Sequence, residues 1–152
     1  MVKSIILSLL CVFYKFCFFD MDKVDKKKIL FVCVGNAYRS IIAEAYGRKF
    51  LDAEVESAGV RPLGYIPSEV IEVLKEDGLE VDGLFSKPID IQKLREYDII
   101  VILSRMIFFA PEGKKVMFFD IEDPSFSDIE FLRNIRDQIK NLVLSLRAEL
   151  ET

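Results

Sequence analysis

The sequence predicts an α/β fold, a four-stranded parallel sheet with helices on both faces. Two continuous apolar runs, Ile29–Val32 and Ile99–Leu103, have the length and composition of strands buried on both sides. Segments with helical spacing and helix-start residues lie between the strand candidates. Strand and helix therefore alternate along the chain. That alternation places right-handed crossovers on the faces of a parallel sheet.

The elements follow in order. Ile29–Cys33 is the first strand. Ser40–Phe50 is the first helix, with Ile41, Ile42, Ala45 and Phe50 on or near its buried face. Val55–Ser57 is a short second strand. Gly59–Pro67 is a Gly- and Pro-rich loop carrying Arg61 and Tyr65. Those two residues are either solvated or part of the binding edge, which in such folds lies at the carboxyl ends of the strands. Ser68 caps a helix that runs to about Glu76 and is stopped by Gly78, burying Val70, Ile71 and Leu74. Asp90–Tyr97 is a further short helix. Asp98–Leu103 is the third strand, Phe108–Gly113 a loop, and Val116–Phe119 the fourth strand. Asp120–Ser127 is a polar loop. Asp128–Glu149 is one long helix of roughly 33 Å. Its stripe of Leu132, Ile135, Ile139, Leu142 and Leu146 faces the sheet.

The junction between the first strand and first helix carries the chemistry. Cys33 ends the strand, Val34, Gly35, Asn36, Ala37 and Tyr38 form the loop, and Arg39 and Ser40 open the helix. A loop turning into a helix aims several backbone N–H groups at one point, which predicts a phosphate-binding loop over Val34–Ser40. Gly35 and Asn36 are residue types that accept the left-handed backbone such a cradle needs. Arg39 offers a planar fork to a tetrahedral oxyanion. Cys33 sits in the same positive field, which favours a partly exposed, nucleophilic thiolate. Ser40 is placed to cap the helix and to donate to the sulfur. Cleaving a phosphate ester also needs a proton for the departing oxygen. Asp120, Glu122 and Asp123 lie on the loop after the fourth strand. Asp123 stands out because Pro124 holds it extended.

Composition narrows the function further. At 152 residues the chain is one domain, and 51% hydrophobic with 30% charged residues is globular. A net charge of −4 argues against nucleic acid as a partner. With no His, serine triads, Cys-His pairs and His-ligated metals are excluded. Cys11, Cys17 and Cys33 make neither a zinc set nor a disulfide framework, so no metal or cofactor is expected. A reactive thiol suits a reducing, cytoplasmic setting. Residues 1–20 form an apolar N-terminal extension ahead of a domain over 21–152. Three readings of it stand: a natural start at Met21, a membrane-touching anchor, or an extra packed element. The first is favoured, and a membrane is a partner only if the second holds.

The stretch V-C-V-G-N-A-Y-R-S-I-I-A-E-A resembles the signature of the low-molecular-weight protein tyrosine phosphatases and the related thioredoxin-type arsenate reductases. S-A-G at Ser57–Gly59, the strand Asp98–Leu103, D-P at Asp123-Pro124 and R-D-Q-I at Arg136–Ile139 extend the resemblance. It implies a phosphomonoester hydrolase, with phosphotyrosine as the substrate the resemblance points to. Cys33 would be the nucleophile, Arg39 the phosphate ligand and Asp123 the general acid and base. It implies a phosphorylated protein or small aryl phosphate as substrate, and phosphate, vanadate or arsenate as pocket ligands. Three departures matter. Ser125 and Phe126 stand where the family's phosphatases often carry tyrosines after D-P, which weakens the expectation of an aryl substrate and leaves Phe126 to flank a ring. Tyr38 stands where many relatives carry a second Cys. Ser104 stands where the reductases place a relay Cys, so a thioredoxin relay within this chain is not expected. Alternatives are an arsenate reductase using an external thiol, or a non-catalytic oxyanion-binding module.

Overall fold

The computed structural model describes residues 25–151, and the expectations for residues 1–20 lie outside it. Four parallel strands, β1 (Lys28–Cys33), β2 (Glu54–Gly59), β3 (Ile99–Ile102) and β4 (Lys115–Phe118), form one sheet in the order β2-β1-β3-β4. The chain steps from β1 outward to β2, then returns past β1 to β3. The order therefore reverses at β1, the place where open α/β sheets bind ligands. Cys33 and Gly59 are cross-strand partners at that edge.

Helices α1 (Arg39–Phe50), α2 (Ser68–Glu76) and α3 (Ile129–Ser145) all pack on one face. Ile29, Phe31, Val55, Ile99 and Val101 meet Ile42, Tyr46, Val73, Leu74, Ile135 and Ile139 there. The stripe expected on the last helix, Leu132 to Leu146, is buried in this core. The other face, built on Leu30, Val32, Ala58, Ile100 and Ile102, carries no α-helix among the described residues. A 3-10 helix (Ile91–Glu96) covers it through Leu94, followed by Tyr97 and the segment after β3. In that segment Met106, Phe108 and Ala110 turn inward, while Ile107 and Phe109 stand in solvent. This period of two is that of an extended chain rather than a helix. Helices thus lie on both faces, the α-helices on one and the 3-10 helix on the other, while the β3-to-β4 crossover is extended.

Several boundaries differ from the sequence reading. β2 runs three residues longer, and Asp90–Tyr97 winds as a 3-10 helix. Asp128–Glu149 is α3 followed by α4 (Arg147–Leu150), joined at Leu146. Asp128 caps α3 by accepting from the Phe131 amide at 2.8 Å. Ser68 is the first residue of α2, not its cap; that place belongs to Pro67.

Helix α1 is buried over its first nine residues, so its polar groups are also interior. Gly47 is where it touches the sheet: a Cβ there would lie 2.8 Å from Val55 and 3.2 Å from Phe31. Gly59 plays the same part for the loop after β1. A Cβ would meet the Val34 carbonyl at 2.7 Å and the Asn36 amide nitrogen at 2.8 Å. The glycine of S-A-G lets β2 end against the loop after β1.

Candidate active site

The loop Val34–Tyr38 is shaped by what its carbonyls do. The Val60 amide donates to Cys33 O at 3.3 Å, Arg61 to Val34 O at 2.9 Å and Leu63 to Gly35 O at 2.8 Å. The Ser86 hydroxyl adds a second donor to Gly35 O at 3.2 Å. With the carbonyls turned toward the 60–63 segment, the amides turn the other way. Those of Gly35, Asn36, Ala37 and Tyr38 donate to no other described group. This is the unfilled set of donors that an anion cradle requires. Asn36 supplies the one left-handed residue of the loop, at φ 43°, and Gly35 does not take part in that turn.

Ser40 lies inside α1, and Tyr38 holds the cap position with no side-chain cap bond. The Ser40 hydroxyl instead sits 2.9 Å from Cys33 Sγ. Its direction follows from its neighbours. Asn36 Oδ1 accepts from the Lys87 amide at 2.8 Å, which makes Nδ2 the donor end. Nδ2 donates to Ser40 Oγ at 2.8 Å and to Ser57 Oγ at 2.9 Å. Ser57 in turn donates to Glu44. Ser40 Oγ therefore accepts from Asn36 and is left to donate to the sulfur. Asn36, Ser40, Ser57 and Glu44 are all at most 1% exposed. Glu44 is balanced by Arg48 at 2.5 Å and Lys87 at 3.5 Å, as a buried carboxylate must be. The sequence reading placed Ser40 and Asn36 here but missed Ser57, Glu44 and Lys87. S-A-G gave only a match in pattern, and Glu44 reads as an ordinary helix-surface acid.

Arg39 is 6% exposed and is anchored from behind. Its Nη1 donates to Ile121 O at 2.9 Å and Leu103 O at 3.5 Å, while Nη2 faces Asp123 Oδ2 at 3.6 Å. Asp123 is fixed at its other oxygen, where the amide and hydroxyl of Ser125 donate to Oδ1 at 3.0 and 2.6 Å. Partial burial pushes the Asp123 carboxyl upward. The two Ser125 bonds and the Arg39 charge outweigh it and hold the group below the ordinary 3.8. Asp120 is turned away to Arg105, 2.6 Å off. Tyr38, held by burial and its hydroxyl bond to Glu69, is pushed up to about 12 and stays neutral.

Cys33, Arg39 and Asp123 line one pocket of about 200 Å³, with Val34, Gly35, Ala37, Tyr38, Ser125, Arg61 and Leu63. Cys33 is 2% exposed, which corrects the expected partial exposure: the strand end is covered, and Cys33 lines this pocket. Arg61 and Leu63 are rim residues fixed by their backbone clamp. Beside Ser125, Phe126 stands fully in solvent on a left-handed backbone, φ 62°. Among the described residues no cluster of His, Cys, Asp or Glu could hold a metal ion. None of their helices is long and apolar enough to cross a membrane.

The model of the low molecular weight phosphotyrosine protein phosphatase family matches residues 28–152. The chain belongs to that family. Arsenate reductase 2 of Staphylococcus epidermidis is 32% identical over 131 residues, covering 82% of this chain and 99% of the relative. Among solved structures, Vibrio vulnificus Wzb in complex with benzylphosphonate is 28% identical with a TM-score of 0.74, covering 82% of this chain and 99% of that one. The low molecular weight protein tyrosine phosphatase from T. tengcongensis is 27% identical with a TM-score of 0.72, again covering 82% and 99%. Family members similar to this chain thus bear both phosphatase and arsenate reductase names.

Proposed function

We propose that this family member is a phosphomonoester hydrolase, acting on phosphotyrosine or a related aryl phosphate through a phosphocysteine. The observation that carries the reading is the convergence of Cys33, Arg39 and Asp123 on one pocket floored by free amides. The phosphate oxygens sit on the amides and on Arg39, and the Cys33 thiolate attacks phosphorus in line with the ester oxygen. Ser40 donates to the sulfur before attack and again when it leaves. Asp123 is ionised in the empty site, so it takes up its proton as the anionic ester arrives, or from a monoanionic ester. It then protonates the departing alcohol or phenol. In the second step Asp123 accepts a proton from water as water attacks phosphocysteine, releasing phosphate and restoring the thiolate. No metal or cofactor is called for, since the amides and Arg39 supply the positive field. Phosphate, vanadate and arsenate are the expected pocket ligands. Phe126 is the aromatic available to flank a substrate ring.

The arsenate reductases among the relatives favour a second reading, in which Cys33 attacks arsenate with loss of water. An external thiol then attacks the Cys33 sulfur to release arsenite and leave a mixed disulfide, and a second external thiol reduces that disulfide. Ser104 limits it: the position offers no relay thiol, and Cys33 is the only cysteine among the described residues. The deciding experiment is turnover of an aryl phosphate, a phosphotyrosine peptide and arsenate with excess thiol, side by side, with Cys33→Ser as control. Phosphate release lost in Cys33→Ser is the expected result. Thiol consumption with arsenate and no ester hydrolysis would replace the first reading by the second.

A further inference from the structure

We infer that Arg61 forms a second anion subsite at the pocket mouth, and that the substrate is a phosphopeptide with an acidic residue next to the phosphorylated one. The inference rests on the hydrolase reading above and names its substrate class. Arg61 lines the same pocket as Cys33, Arg39 and Asp123. Its backbone is pinned: its amide bonds Val34 O, Pro62 follows it, and the Leu63 amide bonds Gly35 O. The side chain therefore starts from a fixed point beside the phosphate loop, so capturing a charge has to order its rotamers but not its backbone.

Its charge is also uncommitted. Arg39 is turned to Asp123 and backbone carbonyls, Lys87 to Glu44, and Arg105 to Asp120. Among the described residues the Arg61 side chain has no ion pair and no hydrogen bond, and it is exposed to solvent. A chain with a net charge of −4 thus presents one unpaired cation at the opening of its anion pocket. A phosphate seated on the loop amides leaves Arg61 facing what is attached to it. A planar fork in that place selects a carboxylate.

The rim decides for a peptide over a small bisphosphate. Leu63 is 47% exposed and Tyr65 61% exposed, and Phe126 stands beside the lining residue Ser125. Leu63 lines the pocket at its rim while Tyr65 and Phe126 do not line it, so the apolar surface runs outward from the rim, where a peptide flank reaches and a short diacid does not.

The test is binding to full-length Cys33→Ser of two phosphotyrosine peptides of equal length, one flanked by Glu and one by Gln. Fluorescence anisotropy at low and high salt gives the affinities. The Glu peptide should bind about two- to fivefold tighter, a preference that shrinks with salt. Adding Arg61→Gln should bring the ratio of the two affinities to about one, and Arg61→Lys should keep part of it. Equal affinities, a preference that survives Arg61→Gln, or failure to bind either peptide would overturn the inference. So would tighter binding of a short alkyl bisphosphate than of either peptide. Hydrolysis of p-nitrophenyl phosphate by the unsubstituted chain reports separately: peptides bound with no hydrolysis would end the hydrolase reading and leave the subsite standing.

Discussion

Ser40→Ala removes the one side-chain donor to the Cys33 sulfur. The hydroxyl is fully buried, 2.9 Å from Sγ, and its lone pair is occupied by Asn36 Nδ2. Alanine fits the space but leaves the sulfur without this partner and strips Asn36 of one of its two side-chain acceptors. A hydrogen bond to a charged acceptor contributes about 1.5–3 kcal/mol. At about 1.4 kcal/mol per factor of ten, kcat should fall roughly 10- to 150-fold. The two chemical steps should not suffer alike. In the first step the thiolate is the nucleophile, and losing a donor leaves it more reactive as well as less stable. In the second the thiolate is the leaving group, and losing the donor only hinders its departure. Stopped-flow hydrolysis of p-nitrophenyl phosphate should therefore show a burst of nitrophenolate followed by slow turnover, with phosphocysteine accumulating. A steady-state rate within twofold of the unsubstituted protein would refute the assignment. So would a large loss without a burst, which would place the damage in the first step.

Asp123→Asn should slow substrates with poor leaving groups by about 100- to 10,000-fold and nitrophenyl phosphate far less, read from a leaving-group series. Arg39→Lys should be nearly as damaging as loss of the side chain, since lysine cannot bond both Ile121 O and a phosphate; rates near normal would say the fork is unused. Gly59→Ala should destabilise the fold by about 1–3 kcal/mol, because its Cβ lands on loop backbone rather than on a side chain that can move. The melting temperature would report it. Ser125→Ala should let the Asp123 carboxyl rise, since it removes the hydroxyl bond that lowers it. A depressed carboxyl contributes stability above its unfolded value and loses it as pH falls through the folded one. Acid unfolding of Ser125→Ala should thus begin at a slightly higher pH than in the unsubstituted protein.

The parts that were legible in the sequence are those set by local pattern. Ile29–Val32 and Ile99–Leu103 read as buried strands, and the stripe from Leu132 to Leu146 reads as a face toward the sheet, with a coiled-coil seam as the less favoured alternative. Cys33 and Arg39 were legible because the loop spacing fixes them relative to one helix. What was not legible depends on residues far apart meeting. Glu44 pairs with Ser57, and Ser57 with Asn36, only after β2 is laid beside β1. Ser40 looked like a cap because it follows a loop, yet the helix begins one residue earlier and the hydroxyl turns inward. The apolar runs showed that both sheet faces are covered, but not by what. The inward turn of Met106, Phe108 and Ala110 follows from packing on Ile100 and Ile102, a tertiary fact.

Oxidation tests the isolation of Cys33. The sulfur is 2% exposed and lines the pocket proposed for phosphate, so peroxide should reach it by the same opening. Bound phosphate should therefore protect it in proportion to occupancy. The first product is a sulfenic acid, which another thiol can trap as a disulfide. None is near among the described residues. Tyr38 occupies the neighbouring loop position with its hydroxyl committed to Glu69, and Ser104 carries a hydroxyl after β3. The sulfenic acid should therefore advance to the sulfinic state, with Cys33 gaining two oxygen atoms. Activity lost after brief peroxide should recover little with dithiothreitol, and intact mass should show the added oxygen. Full recovery together with a loss of two hydrogens would mean an internal disulfide. The partner would then be Cys11 or Cys17, and the apolar N-terminal segment would have to reach the carboxyl edge of the sheet.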